Sequence, residues 1–281
     1  MSIKIVTDST CDLPTDVTEK WGIVITPLYI NMEGKSYLDG VDLSRAEFYE
    51  RLPTARPLPT TSAPGIDTFV STFRELHTNG AEHIISIHIS NALSNVGNVA
   101  KLAAEAVEEE GIAVTVYDSG QLTLGLGLLV LEAAQQAAKG KNIGEIVSAL
   151  QEMGKRTYSF ALLDTLEYLR RGGRISFLQQ NVGNLLSIKP LLVMHDGNLE
   201  MWRIRTFRRA VERMMETIRK LGKLERVALI HAHAIERLDD LRAMAGDLIH
   251  DIELPFSGEV TSAIGAHVGP GSIGMVCVLE P

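Results

Sequence analysis

Two hydrophobic periods alternate along this chain, and their order predicts its architecture. Short apolar runs with β-branched residues at 3–6, 23–30, 83–89 and 113–117 read as strands. Segments with helical spacing lie between them. One covers 45–52 behind the capping pattern Ser44-x-x-Glu47, and another runs through Phe69, Val70, Phe73 and Leu76 to close at Gly80. Further helices are expected at 96–110, 122–138 and 143–156. The proline-rich stretch 53–64 excludes regular structure throughout. Strands alternating with helices predict a parallel sheet wrapped by helices, and such sheets bind ligands at the carboxyl ends of their strands.

Past residue 156 the pattern changes. An apolar run at 160–163, a helical turn at 166–171 and the break Gly172-Gly173-Arg174 come first. A strand is expected at 185–194, where Pro190 suits an edge or a bulge. His195-Asp196-Gly197-Asn198 reads as a hairpin turn into a strand at 199–205. Helices at 207–221 and 238–249 flank a strand at 227–231, and two last strands are expected at 258–264 and 275–279. This order predicts a mixed sheet with helices. The chain therefore reads as an α/β protein of two domains, 1–157 and 158–281.

Composition narrows the function classes. With 281 residues, 45% hydrophobic and 22% charged, the chain can build a sizeable core. A formal net charge of −8 argues against nucleic acid as a partner, since that ligand selects for basic surface. Two distant cysteines, Cys11 and Cys277, indicate neither a disulfide framework nor a zinc site. The N-terminus lacks a signal-peptide core, and the longest apolar stretch, 122–131, is too short to span a bilayer. A cytoplasmic location is expected.

The usual enzyme signatures are absent: no Walker A loop, H-E-x-x-H, G-x-S-x-G or C-x-x-C occurs. Gly125-Leu126-Gly127 opens a strongly apolar helix, which suits close packing better than nucleotide binding. His231 and His233 alternate on one strand face without a carboxylate at a fixed offset, a weak metal pattern. Gly269-x-Gly271-x-x-Gly274 spells a dinucleotide fingerprint, yet a strand follows it where the fingerprint needs a helix. What remains there is a glycine-rich bend between two strands with His267 beside it. Hydroxyl-bearing loops follow successive strands at 7–10, 90–94 and 118–119, with Thr60, Thr61 and Ser62 close by in sequence. Capping explains any one of these loops. Several together, with Arg203 or Arg205 and His267, suit a carboxylate or phosphate oxygen pair at the end of an apolar slot.

Several short segments occur in an order that resembles one family. They are Thr7-Asp8-Ser9 with Asp12-Leu13-Pro14, Thr61-Ser62-x-Pro64, Ser90 to Ser94, Asp118-Ser119, Leu169-x-x-Gly172-Gly173-Arg174, Ile188-Lys189-Pro190 and Gly265-x-His267-x-Gly269-Pro270-Gly271. The pattern is similar to the DegV family of bacterial fatty-acid-binding proteins, nearly end to end.

The resemblance implies an N-terminal three-layer domain with a parallel sheet and a C-terminal two-layer domain with a mixed sheet. It implies a long-chain fatty acid held between them, with the acyl chain buried. By position it implies Thr61 and Ser62 in the loop that meets the carboxylate, Ser94 in the second hydroxyl loop, His267 near the carboxylate, and Arg205 as an exposed arginine. No cofactor and no metal are implied. The implied partner is a separate fatty acid kinase subunit that phosphorylates the presented carboxylate, with transient membrane-surface contact for lipid exchange. The sequence departs from the family pattern at 90–96: Asn91 keeps polarity, while Asn95 and Val96 stand in place of a glycine and a hydroxyl. Two other readings compete. One is a stand-alone phosphotransferase or hydrolase using His267 with Ser94 or Thr61; the other is a lipid-responsive regulatory protein without a kinase.

Overall fold

A computed structural model describes residues 2–178, 188–250, 252 and 256–281. The first half supplies β1 (Ile3–Asp8), α1 (Thr15–Trp21), β2 (Val24–Thr26), β3 (Tyr29–Met32), β4 (Lys35–Leu38), α2 (Arg45–Arg51) and β5 (Thr60–Ser62). It continues with α3 (Ile66–Thr78), β6 (His83–His88), α4 (Val96–Glu108), β7 (Val114–Asp118), α5 (Thr123–Ala138) and α6 (Ile143–Lys155). Strands β2-β1-β6-β7 form an all-parallel sheet, with Val6 opposite both Val24 and Ser86. Helices α3 and α4 pack together on one side of it, and α5 with α1 and α6 on the other.

Thr157 opens the second sheet. The elements are β8 (Thr157–Leu162), α7 (Glu167–Arg171), a 3-10 turn (Arg174–Leu178), β9 (Lys189–His195), β10 (Asn198–Ile204), α8 (Phe207–Leu221) and β11 (Leu224–His231). After them come α9 (Ile235–Met244), α10 (Gly246–Ile249), β12 (Phe256–Glu259), α11 (Ser262–Val268) and β13 (Ile273–Leu279). The order is β10-β9-β8-β13-β11-β12, mixed because β11 and β12 alone run parallel. Its outer face carries Phe160, Leu229 and Met275, buried beneath α8 and α9. Its inner face carries Ala228, Ile230 and Val276, which join the core of the parallel sheet.

Helix α5 is the reason the two sheets share a core. Leu124 through Leu131 are all buried, so the first two turns of the helix have no solvent face and no amphipathic stripe. It touches β1 and β6 on one side and β8 and β13 on the other. Both glycines serve that double contact, as the sequence led us to expect. A Cβ at Gly127 would lie 2.4 Å from the Cys11 carbonyl oxygen, and one at Gly125 2.5 Å from Ser159 Oγ.

The structure corrects four expectations. The strand expected at 23–30 is two strands, because Pro27 lacks an N–H for a ladder; β3 instead joins a small antiparallel sheet, β4-β3-β5. That sheet recruits Thr60–Ser62 from the proline-rich stretch, with Ile30 opposite Thr61. The strand expected at 258–264 stops at Glu259, and His267 lies in the last turn of α11 rather than in a bend between strands. Val260 and Ile264 are four apart, a helical spacing that also reads as apolar extension. His231 ends β11, while His233 lies past it at a φ of 48°, so the two histidines share no strand face. Lastly, the helix expected at 238–249 begins at Ile235 and is interrupted before Gly246. The expected start of the 185–194 strand lies outside the described residues.

Gly127→Ala should lower the unfolding free energy by about 1–3 kcal/mol, because the opposing atom is backbone and cannot swing aside. Urea unfolding of the variant against the parent measures the effect.

Candidate functional site

Between the N-terminal end of α5, the inner face of the mixed sheet and α11 lies a narrow cavity of about 100 Å³. Its walls are mainly apolar, with Leu28, Ile89, Leu122, Leu163, Leu192 and Met194 among them. Thr61, Ser94, Arg174 and His267 also line it. Each arrives from a different element: β5, the β6–α4 loop, the 3-10 turn after α7, and α11.

Thr61 and His267 meet directly, with Thr61 Oγ1 and His267 Nε2 2.8 Å apart. The other ring nitrogen, Nδ1, is buried without a hydrogen-bond partner. It sits against Gly172, where any Cβ would come within 2.3 Å. A buried N–H without an acceptor is the costlier orphan, which places the ring proton on Nε2. His267 then donates to Thr61, and the threonine hydroxyl hydrogen is free to donate to a ligand oxygen. Burial, reinforced by the nearby Arg174 guanidinium, pushes the His267 pKa down to about 4. The ring is therefore neutral at neutral pH.

Arg174 is the cation of the site. It donates to the Gly172 carbonyl oxygen at 2.8 Å, and burial lowers its pKa. Among the described residues no carboxylate lies within ion-pair distance of it. A half-buried guanidinium without a counter-charge is costly and favours an anionic ligand. Sequence reasoning quoted Arg174 within a motif but did not select it; a basic residue directly after a Gly-Gly break was the available signal.

The other expected residues fall outside the cavity wall. The period-2 pleat of β5 turns Thr61 inward and leaves Ser62 exposed, where its Oγ accepts from Asn31 Nδ2 at 3.3 Å. Arg205 is exposed in the bend after β10. Asn95 is exposed and Val96 is fully buried in the core, and neither lines the cavity. Asn91 fills the space over Gly97, where a Cβ would meet its Oδ1 at 2.5 Å. None of the three unusual positions lines the cavity beside Ser94.

A second histidine makes a triad-like array that is not a site. Ser86 Oγ lies 2.7 Å from His88 Nε2, and His88 Nδ1 lies 3.0 Å from Asp8 Oδ2. All three are completely buried, and none lines the cavity. Burial alone would raise the Asp8 pKa, but hydrogen bonds from His88, Thr10 and the Ile89 backbone hold it below the usual value. The array stitches β1 to β6. Among the described residues, no cluster of three His, Cys, Asp or Glu side chains could hold a metal, and no helix is long and apolar enough to cross a membrane.

Residues 2–280 match the model of a family described as uncharacterised protein, DegV family. The chain belongs to the DegV family. A DegV domain-containing protein of Streptomyces coelicolor is 35% identical, the alignment covering 98% of this chain and 97% of that one. A fatty-acid-binding DegV family protein of Thermus thermophilus superposes with a TM-score of 0.89 at 31% identity, over 100% of both chains. DegV of Bacillus subtilis, described as a fatty acid binding protein, gives 0.88 at 30% identity, over 99% of both chains. The DegV architecture of a parallel sheet beside a mixed sheet is thus shared along the whole chain.

Within this DegV protein His267 should titrate near 4 by NMR, well below the ordinary 6.5. Its folded-state value is depressed, so its contribution to stability is complete above 6.5 and is lost as pH falls toward 4. His267→Gln should flatten that part of the stability–pH curve; an unchanged curve would place the titration elsewhere.

Proposed function

We propose that the protein binds a long-chain fatty acid, burying the acyl chain in the slot and holding the carboxylate at Thr61, Ser94, Arg174 and His267. The observation that carries this reading is the guanidinium of Arg174, without a carboxylate partner among the described residues, beside three neutral hydrogen-bonding side chains at a mainly apolar cavity. An acyl chain gains roughly 0.8 kcal/mol per buried CH₂, so chain burial supplies the affinity. The polar groups satisfy and orient the headgroup. Fatty acid binding by the similar DegV proteins of T. thermophilus and B. subtilis supports the same reading.

On this proposal the chain is a carrier in the cytoplasm, not an enzyme, and is divided into domains at 1–157 and 158–281 with the ligand between them. Its carboxylate is presented to a separate fatty acid kinase subunit, with transient membrane-surface contact for lipid exchange. Ser62 and Arg205, both exposed, stand outside this proposed carboxylate site. A stand-alone phosphotransferase or hydrolase built on His267 has less support. With a pKa of about 4 and Nε2 already engaged by Thr61, the ring is a weak base.

Mass spectrometry of the purified protein, native and after organic extraction, tests the proposal. A stoichiometric fatty acid is expected, and no ATP turnover by the chain alone. Thr61→Ala, Ser94→Ala and His267→Ala should each weaken fatty acid binding roughly tenfold or more. An empty extract and no uptake of added fatty acid would remove the carrier reading.

A further inference from the structure

Helix α11 does not cap itself. Its N-cap residue, Thr261, makes no side-chain capping bond, although threonine is suited to one. Two carboxylates from the far end of the sequence take over. Asp39 Oδ2 accepts from the Ala263 N–H at 3.3 Å, and Asp12 Oδ1 accepts from the Thr261 N–H at 2.7 Å. The two residues before the helix are held as well. Arg45 Nη1 donates to the Glu259 carbonyl oxygen at 2.5 Å, and the Tyr49 hydroxyl donates to that of Val260 at 3.2 Å. Four side chains of the first half thus grip a short run of backbone that leads straight to His267. The packing is equally close, since a Cβ at Gly265 would meet the Tyr49 hydroxyl oxygen at 2.5 Å.

We propose that Asp12 and Asp39 are positioning residues for the ligand: by gripping the first turn of α11 they set the place of His267 against Thr61. This rests on the fatty acid reading of the cavity. Neither aspartate lines the cavity, so each acts through the helix. Both are more than nine-tenths buried, and each carboxylate also meets a hydroxyl of the helix start, Asp12 that of Thr261 and Asp39 that of Ser262.

The grip also carries a proton. Burial raises both carboxylates, Asp12 to about 7, with Arg45 opposing the rise. The charged and titratable groups around Asp12 are Asp8 and Cys11 on its own segment, Asp39, Arg45 and Tyr49 on the α2 side, and beyond Tyr49 Glu259 with His233, whose ring stacks on Tyr49. The Thr261 N–H and hydroxyl bonds favour the ionised Asp12 and outweigh the Asp39 charge, so the grip tightens as pH rises through about 7.

Two measurements on Asp12→Ala, Asp12→Asn, Asp39→Ala and Asp39→Asn test this. Amide hydrogen exchange at 261–268 in the ligand-free protein reads the grip, whatever the cavity binds. Titration with a fluorescent long-chain fatty acid reads its consequence. Both alanine variants should exchange faster and bind about fivefold more weakly, the loss that deleting an N-cap brings. Both asparagine variants keep the accepting oxygen and should stay close to the parent. Parent affinity should rise between about pH 6 and about pH 8, while Asp12→Asn stays flat. Alanine variants that exchange and bind like the parent, asparagine variants that fall as far as alanine, or an Asp12→Asn profile that tracks the parent would each overturn the proposal. Should an alanine variant fail to fold, the asparagine pair and the pH profile still decide. A parent that binds no fatty acid sinks the carrier reading instead, and the exchange result stands by itself.

Discussion

Everything in this molecule depends on one helix being buried on all sides. A helix between two sheets must bring its backbone close to both, and side chains at every position would hold the sheets apart. Gly125 and Gly127 remove the obstruction, one toward β8 and one toward the turn after β1. The two sheets then share a continuous core instead of meeting across a wet interface. Where α5 begins, that packing opens, and the cavity forms at its N-terminal end with Leu122 and Thr123 in the wall. The slot is thus a consequence of where the buried helix starts.

Polar groups next to α5 follow from the same constraint. Gln121 is fully buried just before the helix, so it must be satisfied internally: its amide donates to the Thr157 carbonyl and its carbonyl accepts from Ser159. It thereby ties the first half to the opening strand of the second sheet. Glu132 and Arg226 make a second tie farther along α5, at 2.9 Å.

How much of this could be read from the sequence depended on how local the cause was. The parallel sheet, its helices and the long α8 follow from period and capping, and α8 spans the expected 207–221. The glycine pair in α5 was legible because an apolar helix has few other uses for it. The His267 helix was not legible, since its cap comes from Asp39 and Asp12, 224 and 249 residues away. No local pattern announces a cap supplied at that distance. The split at Pro27 followed from a rule that was available, but the apolar run across it was the louder signal. Of the site, Thr61 and Ser94 could be chosen from hydroxyl loops and His267 from the glycine-rich stretch beside it. Arg174 carried a local signal in the Gly-Gly break before it, but its role needed three dimensions, because it rests on there being no carboxylate within ion-pair distance among the described residues.

Hydrogen bonding and charge tie the site to the fold. The proposed grip of Asp12 and Asp39 on the start of α11 leads to His267 against Thr61, and Nδ1 of that ring is buried without a partner. A neutral ring at 267 suits that arrangement. A charged imidazolium beside Arg174 would add repulsion, while the neutral ring leaves the guanidinium as the sole counter-charge for an incoming anion. On the proposed reading, an anionic headgroup would relieve the electrostatic cost that folding leaves at Arg174 and so complete the site rather than merely occupy it.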